Sequence, residues 1–390
     1  MGKFMRRLFT LALLGLLVYG GYRYAWVGQQ LLENQKLPAE EKVYVSLLEE
    51  REHIILAGYG LDGQSFPELW KDIMYTHGDL FFVNTQYEYL MLGDHILAVT
   101  PTYDLQGEPL LQARVDYEAE LQEILAGISP QWTDLEKALY LHDYLCMHYA
   151  YDTSLTRYTA AEMLRQHLGV CQSYTLLYHD LLSACGIEAD YRVSHEMNHT
   201  WNTVRLDGQL YHVDVTYDDP TADRPGRALH RYFLVSDQSI AEDHKLSPQD
   251  EACADTRYDD ALWQSVSSGF VPVGDTFYYL KGANIYAWRD GQAPKPIHTI
   301  FSTWFTNRGD QSYWEGNFSV LWATETELLY NTADAVLALD PVSGEVRTLY
   351  SHPGPDSIYG FTYSPGTLTL RLGTSPNEEG RSLTVNNIKA

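Results

Sequence analysis

The sequence predicts an α+β protein in which helices pack on an antiparallel sheet, followed by a domain of β-strands alone. Capped segments with apolar residues at helical spacing run from 133 to 185, and strand-like segments joined by Asp207-Gly208 follow them. Helix patterns are absent after residue 260, where short strands recur with glycine turns. The fold class is therefore a helix-on-sheet core with a C-terminal all-β repeat domain.

The N-terminal residues have the pattern of an export signal. Three basic residues between positions 3 and 7 precede an apolar run over residues 8–22. The run is shorter than the ~20 residues of a membrane-spanning helix, but residues 24–27 can extend it and no clear cleavage site follows. We predict an uncleaved signal anchor over residues 1–27 of a single-pass cell-membrane protein with an extracytoplasmic body. Secretion after signal cleavage is the alternative.

The composition is acidic and poor in cysteine. A net charge of −25 argues against binding to nucleic acid or to an anionic membrane surface, since both would repel the protein. Membrane association is therefore expected through the N-terminal segment alone. Four cysteines in 390 residues are too few for a disulfide framework, and none of them form a CxxC pair. The sequence predicts no cofactor and no metal.

Residues 28–109 are predicted to form an N-terminal α/β region. Apolar residues recur at helical spacing over 66–76. Short strand-like runs follow over 80–83, 87–92 and 95–99. Pro101 is expected to end this region. A helix over 110–128 then begins the next domain, which we place at 110–245.

A capped helix is predicted inside that domain. Thr133 and Glu136 form a capping box, which begins a helix that ends near Tyr149. His142 and Cys146 lie on its apolar face at helical spacing. Both are therefore interpreted as core residues rather than ligands.

Two further helices are predicted, one before Gly169 and one that begins at Cys171. A second capping box at 159–162 begins a short helix, which Gly169 ends. The next helix is predicted from Cys171 to Cys185, with Gly186 as its left-handed C-terminal residue. Cys185 lies on the apolar face of this helix and is interpreted as core.

Strands are predicted over 189–194, 200–206 and 209–216. Asp207-Gly208 between the last two is a strong signal for a two-residue hairpin turn. Such a turn pairs Leu206 with Gln209. Side chains two apart in a strand share a face, so this register makes His199 and Asp214 diagonal neighbours on one side of the sheet.

Residues 262–390 are predicted to form a β-rich, blade-like domain after a polar linker over 239–260. Residues 277–288 and 328–340 share a pattern of two strands followed by a glycine turn, and a weaker third copy begins near Gly366. Three copies are too few for a closed propeller. The sequence therefore predicts an accessory domain of β repeats.

Cys171 has the sequence context of a nucleophile. At the start of a helix, the positive end of the helix dipole and unpaired backbone N–H groups favour a thiolate. The thiolate is the reactive form of cysteine, and it needs an imidazole within reach and a third group to orient that imidazole. The hairpin geometry offers His199 and Asp214 for these two roles.

Several spaced motifs between residues 110 and 244 resemble the transglutaminase-like superfamily. The runs that carry the resemblance are Gly169-Val-Cys171-Gln-Ser-Tyr174, Gly186-Ile187, His199-Thr-Trp-Asn202 and Tyr211-His-Val-Asp214-Val-Thr-Tyr-Asp-Asp-Pro220. Residues 141–145 and 149–152 are similar to the usual lead-in. The sequence departs from the family at Tyr217, where tryptophan is frequent, and at Ser173. Neither departure removes a triad member.

The resemblance implies a papain-like α+β core and a cysteine enzyme. By motif, Cys171 is the nucleophile, His199 the general base and acid, and Asp214 the residue that orients His199. We expect extracytoplasmic acyl transfer on peptide or protein amides through a Cys171 thioester, of the peptidase or the transglutaminase type, with hydrolysis favoured. The substrate is a peptide or protein, with the cell envelope as one source. Gln172 and Tyr151 are candidates for the oxyanion hole beside the Cys171 backbone N–H.

Two alternatives remain open. A protein that keeps this fold without catalysis would be a surface-binding or scaffolding protein, which the intact triad disfavours. His195, Glu196 and His199 match the HExxH pattern of zinc metallopeptidases, which needs a helix to bring the histidines together. The flanking residues are strand-like, and residues four apart in a strand lie ~13 Å apart, too far for one zinc ion.

Overall fold

The structure is a computed structural model that describes residues 37–219, 221, 223–248, 250–304, 317–376 and 380–389. The chain divides into two compact units between residues 116 and 117. The predicted signal anchor at 1–27 lies outside the described residues, and the predicted domain boundaries stay predictions. Among the described helices, none has the length and apolar character needed to span a bilayer.

The first unit is a small module of helices and one antiparallel sheet. Its elements are α1 (Ala39–Leu48), β1 (Ile54–Ile55), α2 (Ser65–Thr76), a 3-10 turn (Gly78–Leu80), β2 (Val83–Leu92), β3 (His95–Tyr103) and the start of α3 (Glu108–Leu125). The strand order is β1-β3-β2. Pro101 lies inside β3 and does not end it. It is tolerated there because β1 pairs only with Val99 and Ala98, so β3 is an edge strand on that side at Pro101.

The second unit begins with helices packed on an antiparallel sheet. Its elements up to residue 240 are the end of α3, α4 (Asp134–His148), β4 (Ala150–Tyr151), α5 (Ala160–Gln166), β5 (Leu168–Gly169), α6 (Cys171–Ala184), β6 (Ala189–Ser194), β7 (His199–Leu206), β8 (Gln209–Val213), α7 (Val215–Asp218), β9 (Phe233–Val235) and α8 (Asp237–Ile240). Strands β6 to β9 pair in sequential order, and α6 packs against α4 and β7. This confirms the predicted α+β core.

Reciprocal capping fixes the start of α4. The Thr133 hydroxyl accepts a hydrogen bond from the Glu136 backbone N–H at 3.2 Å, and the Glu136 carboxylate accepts one from the Thr133 N–H at 2.9 Å. The predicted box at 159–162 forms in the same way at the start of α5. Gly186 follows α6 with φ +74°, the left-handed geometry that glycine adopts without strain.

The β7–β8 hairpin has the predicted register. Asp207 and Gly208 have φ values of 49° and 76°, and positive φ at both positions is the requirement of a type I′ turn. Leu206 pairs with Gln209, and the pairs continue without interruption to Val213. The register predicted from the turn sequence is therefore confirmed.

The end of β8 differs from the prediction. The strand ends at Val213 and does not reach Thr216, because Asp214 becomes the N-cap of α7. Its carboxylate accepts a hydrogen bond from the Tyr217 backbone N–H at 3.1 Å. A short helix, capped by Asp214, therefore stands where the last residues of the strand were predicted.

One apolar core joins α4, α6 and the sheet. Fully buried members include Leu139, Tyr174, Leu177 and Tyr211, and burying a side chain of this size stabilises the fold by roughly 1.5–3 kcal/mol. Phe277 of the C-terminal β region belongs to the same cluster. The two parts of the second unit therefore share a core.

All four cysteines are free thiols. Cys146 is 2% exposed, as predicted for a core residue. Cys185 is only partly buried, because it is the C-cap of α6 at the edge of the core. Cys185 nevertheless packs against the core cluster, so its interpretation as a core residue holds in part.

The C-terminal residues form antiparallel sheets. The strands are β10 (Val271–Val273), β11 (Thr276–Lys281), β12 (Asn284–Trp288), β13 (Lys295–Thr299), β14 (Leu321–Ala323), β15 (Leu328–Asn331), β16 (Ala335–Leu339), β17 (Val346–Ser351), β18 (Ser357–Ser364), β19 (Thr367–Gly373) and β20 (Arg381–Asn386), with a 3-10 turn at Leu262–Ser265 before them. They pair in sequence as sheets of four, four and three strands. This architecture is consistent with the predicted β-rich domain.

Candidate active site

Cys171 is the first residue of α6, as predicted. It follows the N-cap residue Val170 directly, and its side chain is partly exposed. The first backbone N–H groups of a helix have no carbonyl partner within it, so they and the helix dipole favour an anion at this position. Cys171 therefore combines solvent access with an environment suited to a thiolate.

The turn before Cys171 is fixed by two small residues. A Cβ at Gly169 would lie 2.8 Å from the Ser173 Cβ and 2.9 Å from the Met163 sulfur, so only glycine fits. The Ser173 hydroxyl accepts from the Val170 backbone N–H at 3.2 Å and donates to the Arg157 carbonyl at 2.7 Å. Ser173 thus holds the start of α6 in place.

His199 and Asp214 lie together, as the hairpin geometry predicts. The His199 Nε2 atom is 2.6 Å from the Asp214 Oδ2 atom. Their exposed fractions are 6% and 1%. Since Nε2 faces the carboxylate, Nδ1 is the ring nitrogen left for Cys171. The catalytic roles of the three residues stay predictions at this point.

The charges of these groups stabilise one another. Burial disfavours the cation of His199, but the charge and hydrogen bond of Asp214 outweigh burial, and hydrogen bonding with Cys171 adds to them, so the pKa of His199 rises to about 10. Burial likewise opposes ionisation of Asp214, yet His199 and His244 outweigh it and lower the pKa of Asp214 to about 2. At neutral pH the two residues form a buried ion pair.

This ion pair predicts a pH dependence of stability. A histidine with a raised pKa contributes stability that is complete below its ordinary pKa of about 6.5 and is lost as the pH rises toward about 10. A carboxylate with a lowered pKa contributes above its ordinary value of 3.8 and loses the contribution as the pH falls through about 2. We expect the free energy of unfolding of wild type to be higher than that of His199→Gln, and the difference to be largest between about pH 4 and pH 6.5. Urea unfolding of both proteins across pH measures the difference, and a constant value up to about pH 10 would contradict the ion pair.

His244 is a part of this site that the sequence did not reveal. Its Nε2 atom lies 2.9 Å from the Asp214 Oδ2 atom, and its Nδ1 atom lies 2.7 Å from an Asp243 carboxylate oxygen. Among the described residues, the Asp214 carboxylate therefore has three hydrogen-bonding partners: His199, His244 and the Tyr217 backbone N–H. His244 falls in the polar segment interpreted as a linker, where the only local signal is the adjacent acid.

The HExxH pattern lies on a turn. β6 ends at Ser194 and β7 begins at His199, and these two residues pair across the sheet. Residues 195–198 form the connection, with Asn198 at φ +50°. The helix that a metallopeptidase would need is replaced by a hairpin, so the zinc-peptidase alternative fails on geometry.

Within the described part of the chain, three clusters bring potential metal ligands within 4.8 Å of one another: His142, Asp143 and His230; His199, Asp214 and His244; and His212, Asp237 and Cys253. None includes His195 or Glu196. In the last cluster, Trp201 donates to the His212 Nδ1 atom at 3.0 Å, which leaves the proton on Nε2, 2.8 Å from Asp237. Both nitrogens of His212 are thereby used without a metal.

A cavity of about 450 Å³ lies beside His199. Its walls include Tyr151, Tyr217 and Asp219. Burial raises the pKa of both tyrosines, and the charge of Cys171 raises each further. Tyr151 thus lines the cavity beside His199, and its role as an oxyanion donor stays a prediction.

Gln172, the other oxyanion candidate, follows Cys171 in α6 and is 7% exposed. Its position next to the nucleophile keeps it close to the Cys171 backbone N–H. The assignment of Tyr151 or Gln172 as the oxyanion donor stays a prediction.

The fold and this site together define an α+β domain with a cysteine at a helix start. Residues 122–215 match the model of the transglutaminase-like superfamily, which confirms the resemblance seen in the sequence. Members of this superfamily generally have cysteine protease or transglutaminase activity. No curated protein matches the chain.

Two solved structures are similar to part of this chain. One, assigned as a cysteine protease from Cytophaga hutchinsonii, has 15% sequence identity and a TM-score of 0.22 over 34% of this chain and 61% of that chain. The other, described as a TGase, has 12% identity and a TM-score of 0.24 over 42% of this chain and 50% of that chain. The chain thus spans between half and two thirds of the length of these structures.

Proposed function

We propose that this protein is a cysteine-dependent enzyme that transfers acyl groups from peptide or protein amides through a thioester on Cys171. In this proposal His199 is the general base and acid, and Asp214 orients it. The observation that carries the proposal is the buried His199–Asp214 pair at 2.6 Å, together with a cysteine at the start of α6 that favours the His199 cation. The intact triad disfavours the alternative of a non-catalytic binding protein.

The first half of the reaction forms the acyl-enzyme. The Cys171 thiolate attacks the amide carbonyl carbon, so a C–S bond forms and the carbonyl π electrons move to oxygen. The Cys171 backbone N–H, with Gln172 or Tyr151, donates hydrogen bonds to this oxyanion. The C–N bond then breaks as His199 gives its Nδ1 proton to the leaving amine. The product is a thioester.

The second half releases the acyl group. The acylated sulfur carries no negative charge, so the His199 cation is no longer stabilised by it. His199, neutral after it has protonated the leaving amine, can then take a proton from water or from an incoming amine. The new C–O or C–N bond forms, the C–S bond breaks, and the thiolate is restored. We propose hydrolysis as the main outcome, since water needs no binding site of its own. Peptidase and transglutaminase chemistry share every step up to the thioester.

Selective alkylation tests this function. We expect iodoacetamide near pH 6 to modify Cys171 at least about tenfold faster than Cys185, because the helix start and His199 stabilise the Cys171 thiolate, whereas burial raises the pKa of Cys185. Peptide mass spectrometry locates the label, and Cys185→Ala confirms the assignment. His199→Ala should reduce the difference, since only the contribution of the helix start and the burial of Cys185 then remain. Equal reactivity of the two thiols in wild type would favour the non-catalytic surface-binding alternative.

The proposed location is outside the cytoplasm, with residues 1–27 as a membrane anchor. The basic residues before the apolar run support this orientation. A peptide or protein substrate, with the cell envelope as one source, fits that location. The net charge of −25 speaks against nucleic acid as a partner.

We also propose that the first two C-terminal sheets are repeats of one unit. Both have four strands in sequential order. In each sheet the pairing of the third strand with the fourth has an irregularity after the second residue of the third strand. These residues are Ile285 in β12 and Val336 in β16. Matching irregularities support a common unit better than strand count alone, since bulges are positional features of a sheet.

A further inference from the structure

The cavity beside His199 contains a buried carboxylate with an unused oxygen. Asp219 is 4% exposed and lines this cavity. Its Oδ2 atom accepts a hydrogen bond from the Tyr174 hydroxyl. Its Oδ1 atom has no hydrogen-bond partner among the described residues. A buried acceptor without a partner is unfavourable, so the location of Asp219 in the wall of a cavity indicates a donor supplied by a ligand.

The neighbours of Asp219 do not supply that donor. Burial raises the pKa of Asp219 to about 7, the Tyr174 hydrogen bond opposes this rise, and the charge of Asp223 adds to it. His142, the cationic group that acts on Asp219, already faces Asp143 and Asp218 with its two nitrogens. A cation that entered the cavity would therefore meet a carboxylate without a counter-charge of its own.

The remaining walls suit the carbon chain of an amine. Tyr151 and Tyr217 present aromatic rings, and Leu229 adds an apolar side chain. Aromatic faces attract ammonium groups by the electrostatics of the ring, and a carboxylate is the acceptor that an ammonium prefers. An anionic substrate group would be repelled by Asp219.

We propose that Asp219 recognises a primary alkylammonium group of the substrate, which donates a hydrogen bond to its Oδ1 atom while the attached carbon chain lies between Tyr151 and Tyr217. This inference rests on the proposed function, because the ammonium is bound next to the acyl group that Cys171 carries. The ammonium belongs either to the acyl donor, as in a lysine side chain near the scissile amide, or to the amine that resolves the thioester, which releases one proton to solvent before its nitrogen attacks and a second to His199 as the amide forms.

Protection of Cys171 from alkylation tests the subsite. Pentylammonium and its neutral analogue 1-pentanol are compared as protectants against iodoacetamide near pH 7.5, with labelling of Cys171 followed by mass spectrometry. We expect the pentylammonium concentration that halves the labelling rate of wild type to be at least about tenfold lower than the corresponding 1-pentanol concentration, because the ammonium donates a charge-assisted hydrogen bond. Asp219→Asn should reduce the preference to within twofold. Asp223→Asn, which removes an exposed charge from the same loop, should keep it.

The outcomes separate the subsite from the reaction. A Cys171 that is unreactive without any protectant overturns the proposed function. A reactive Cys171 that amine and alcohol protect equally, or an Asp219→Asn variant that keeps the preference, overturns the ammonium subsite alone. If Asp219→Asn does not fold, the comparison of amine and alcohol on wild type decides.

Two further probes identify the source of the ammonium. Incorporation of pentylamine into a glutamine peptide assigns it to the incoming amine. Stronger protection by a lysine peptide than by the matched norleucine peptide, without incorporation, assigns it to the acyl donor. Either result supports the subsite, and the absence of both contradicts it.

Discussion

Replacement of Cys171 by alanine is expected to abolish turnover, with a loss of about 10³-fold or more in kcat/KM, because no other group can form the thioester. The change should leave the fold intact. Cys171 is partly exposed at the first position of α6, and alanine is the best helix former. Hydrolysis of casein peptides and incorporation of a labelled amine into casein measure the two outcomes of the thioester. Mass spectrometry should find the acyl group on Cys171 in wild type only.

Cys185→Ala is the matched control, since Cys185 is the C-cap residue at the opposite end of the same helix. It removes a thiol that is only partly buried and has no role in the proposed reaction. Its activity should equal that of wild type within about twofold, as is usual for substitutions away from a site. Activity that survives in Cys171→Ala would instead place the chemistry elsewhere or reveal a contaminating enzyme.

The part of the site that local chemistry determines could be predicted. Asp207-Gly208 determines the hairpin register through two residues with positive φ, and that register brings His199 and Asp214 to one side of the sheet. The helix start at Cys171 follows from the break at Gly169, where any larger side chain would meet Ser173 and Met163. These features depend on neighbours in sequence, so the sequence showed them.

The other parts depend on contacts between distant segments. His244 reaches Asp214 from 30 positions away, and it lies in a polar stretch whose composition is typical of linkers. The free oxygen of Asp219 is evident only when the partners of the whole cavity are known. Composition and periodicity describe which residues prefer burial, and they do not identify the partners that a buried polar atom finds.

His142 illustrates the same limit. Its helical spacing correctly predicted burial, and the residue is 0% exposed. Its partners did not follow from the spacing: Nδ1 lies 2.7 Å from Asp143, and Nε2 lies 3.2 Å from Asp218 of α7. Burial opposes its cation, but the two carboxylates outweigh burial and raise the pKa of His142 to about 9. The predicted core residue is therefore a buried charge.

Asp143 connects this charge to two other segments. Its carboxylate lies 2.7 Å from the His142 Nδ1 atom, 2.9 Å from the His230 Nε2 atom and 2.6 Å from the Phe270 backbone nitrogen. Phe270 directly precedes β10, so the same carboxylate joins α4 to the first C-terminal sheet. All of these contacts are buried. Buried hydrogen-bond networks of this kind stabilise a fold only while every member keeps its partner.

Asp143→Ala is therefore expected to lower the free energy of unfolding by about 3–5 kcal/mol, the usual cost of removing one partner from a buried ion pair. The substitution leaves the His142 Nδ1 atom, the His230 Nε2 atom and the Phe270 N–H without their acceptor. Asp143→Asn keeps one carbonyl oxygen as an acceptor, so its loss should be smaller. Urea unfolding followed by tryptophan fluorescence and by far-UV circular dichroism measures both variants.

The control for this effect lies on the same helix. Asp134 in the first turn of α4 pairs with Lys137 at 2.8 Å, but its side chain is 60% exposed. Because solvent screens that pair, Asp134→Ala should cost no more than about 1 kcal/mol. Equal losses for Asp134→Ala and Asp143→Ala would mean that the buried carboxylate does not hold these three segments together. A large loss for Asp143→Ala alone would locate much of the stability of the second unit in one carboxylate, beside the helix that begins with Cys171.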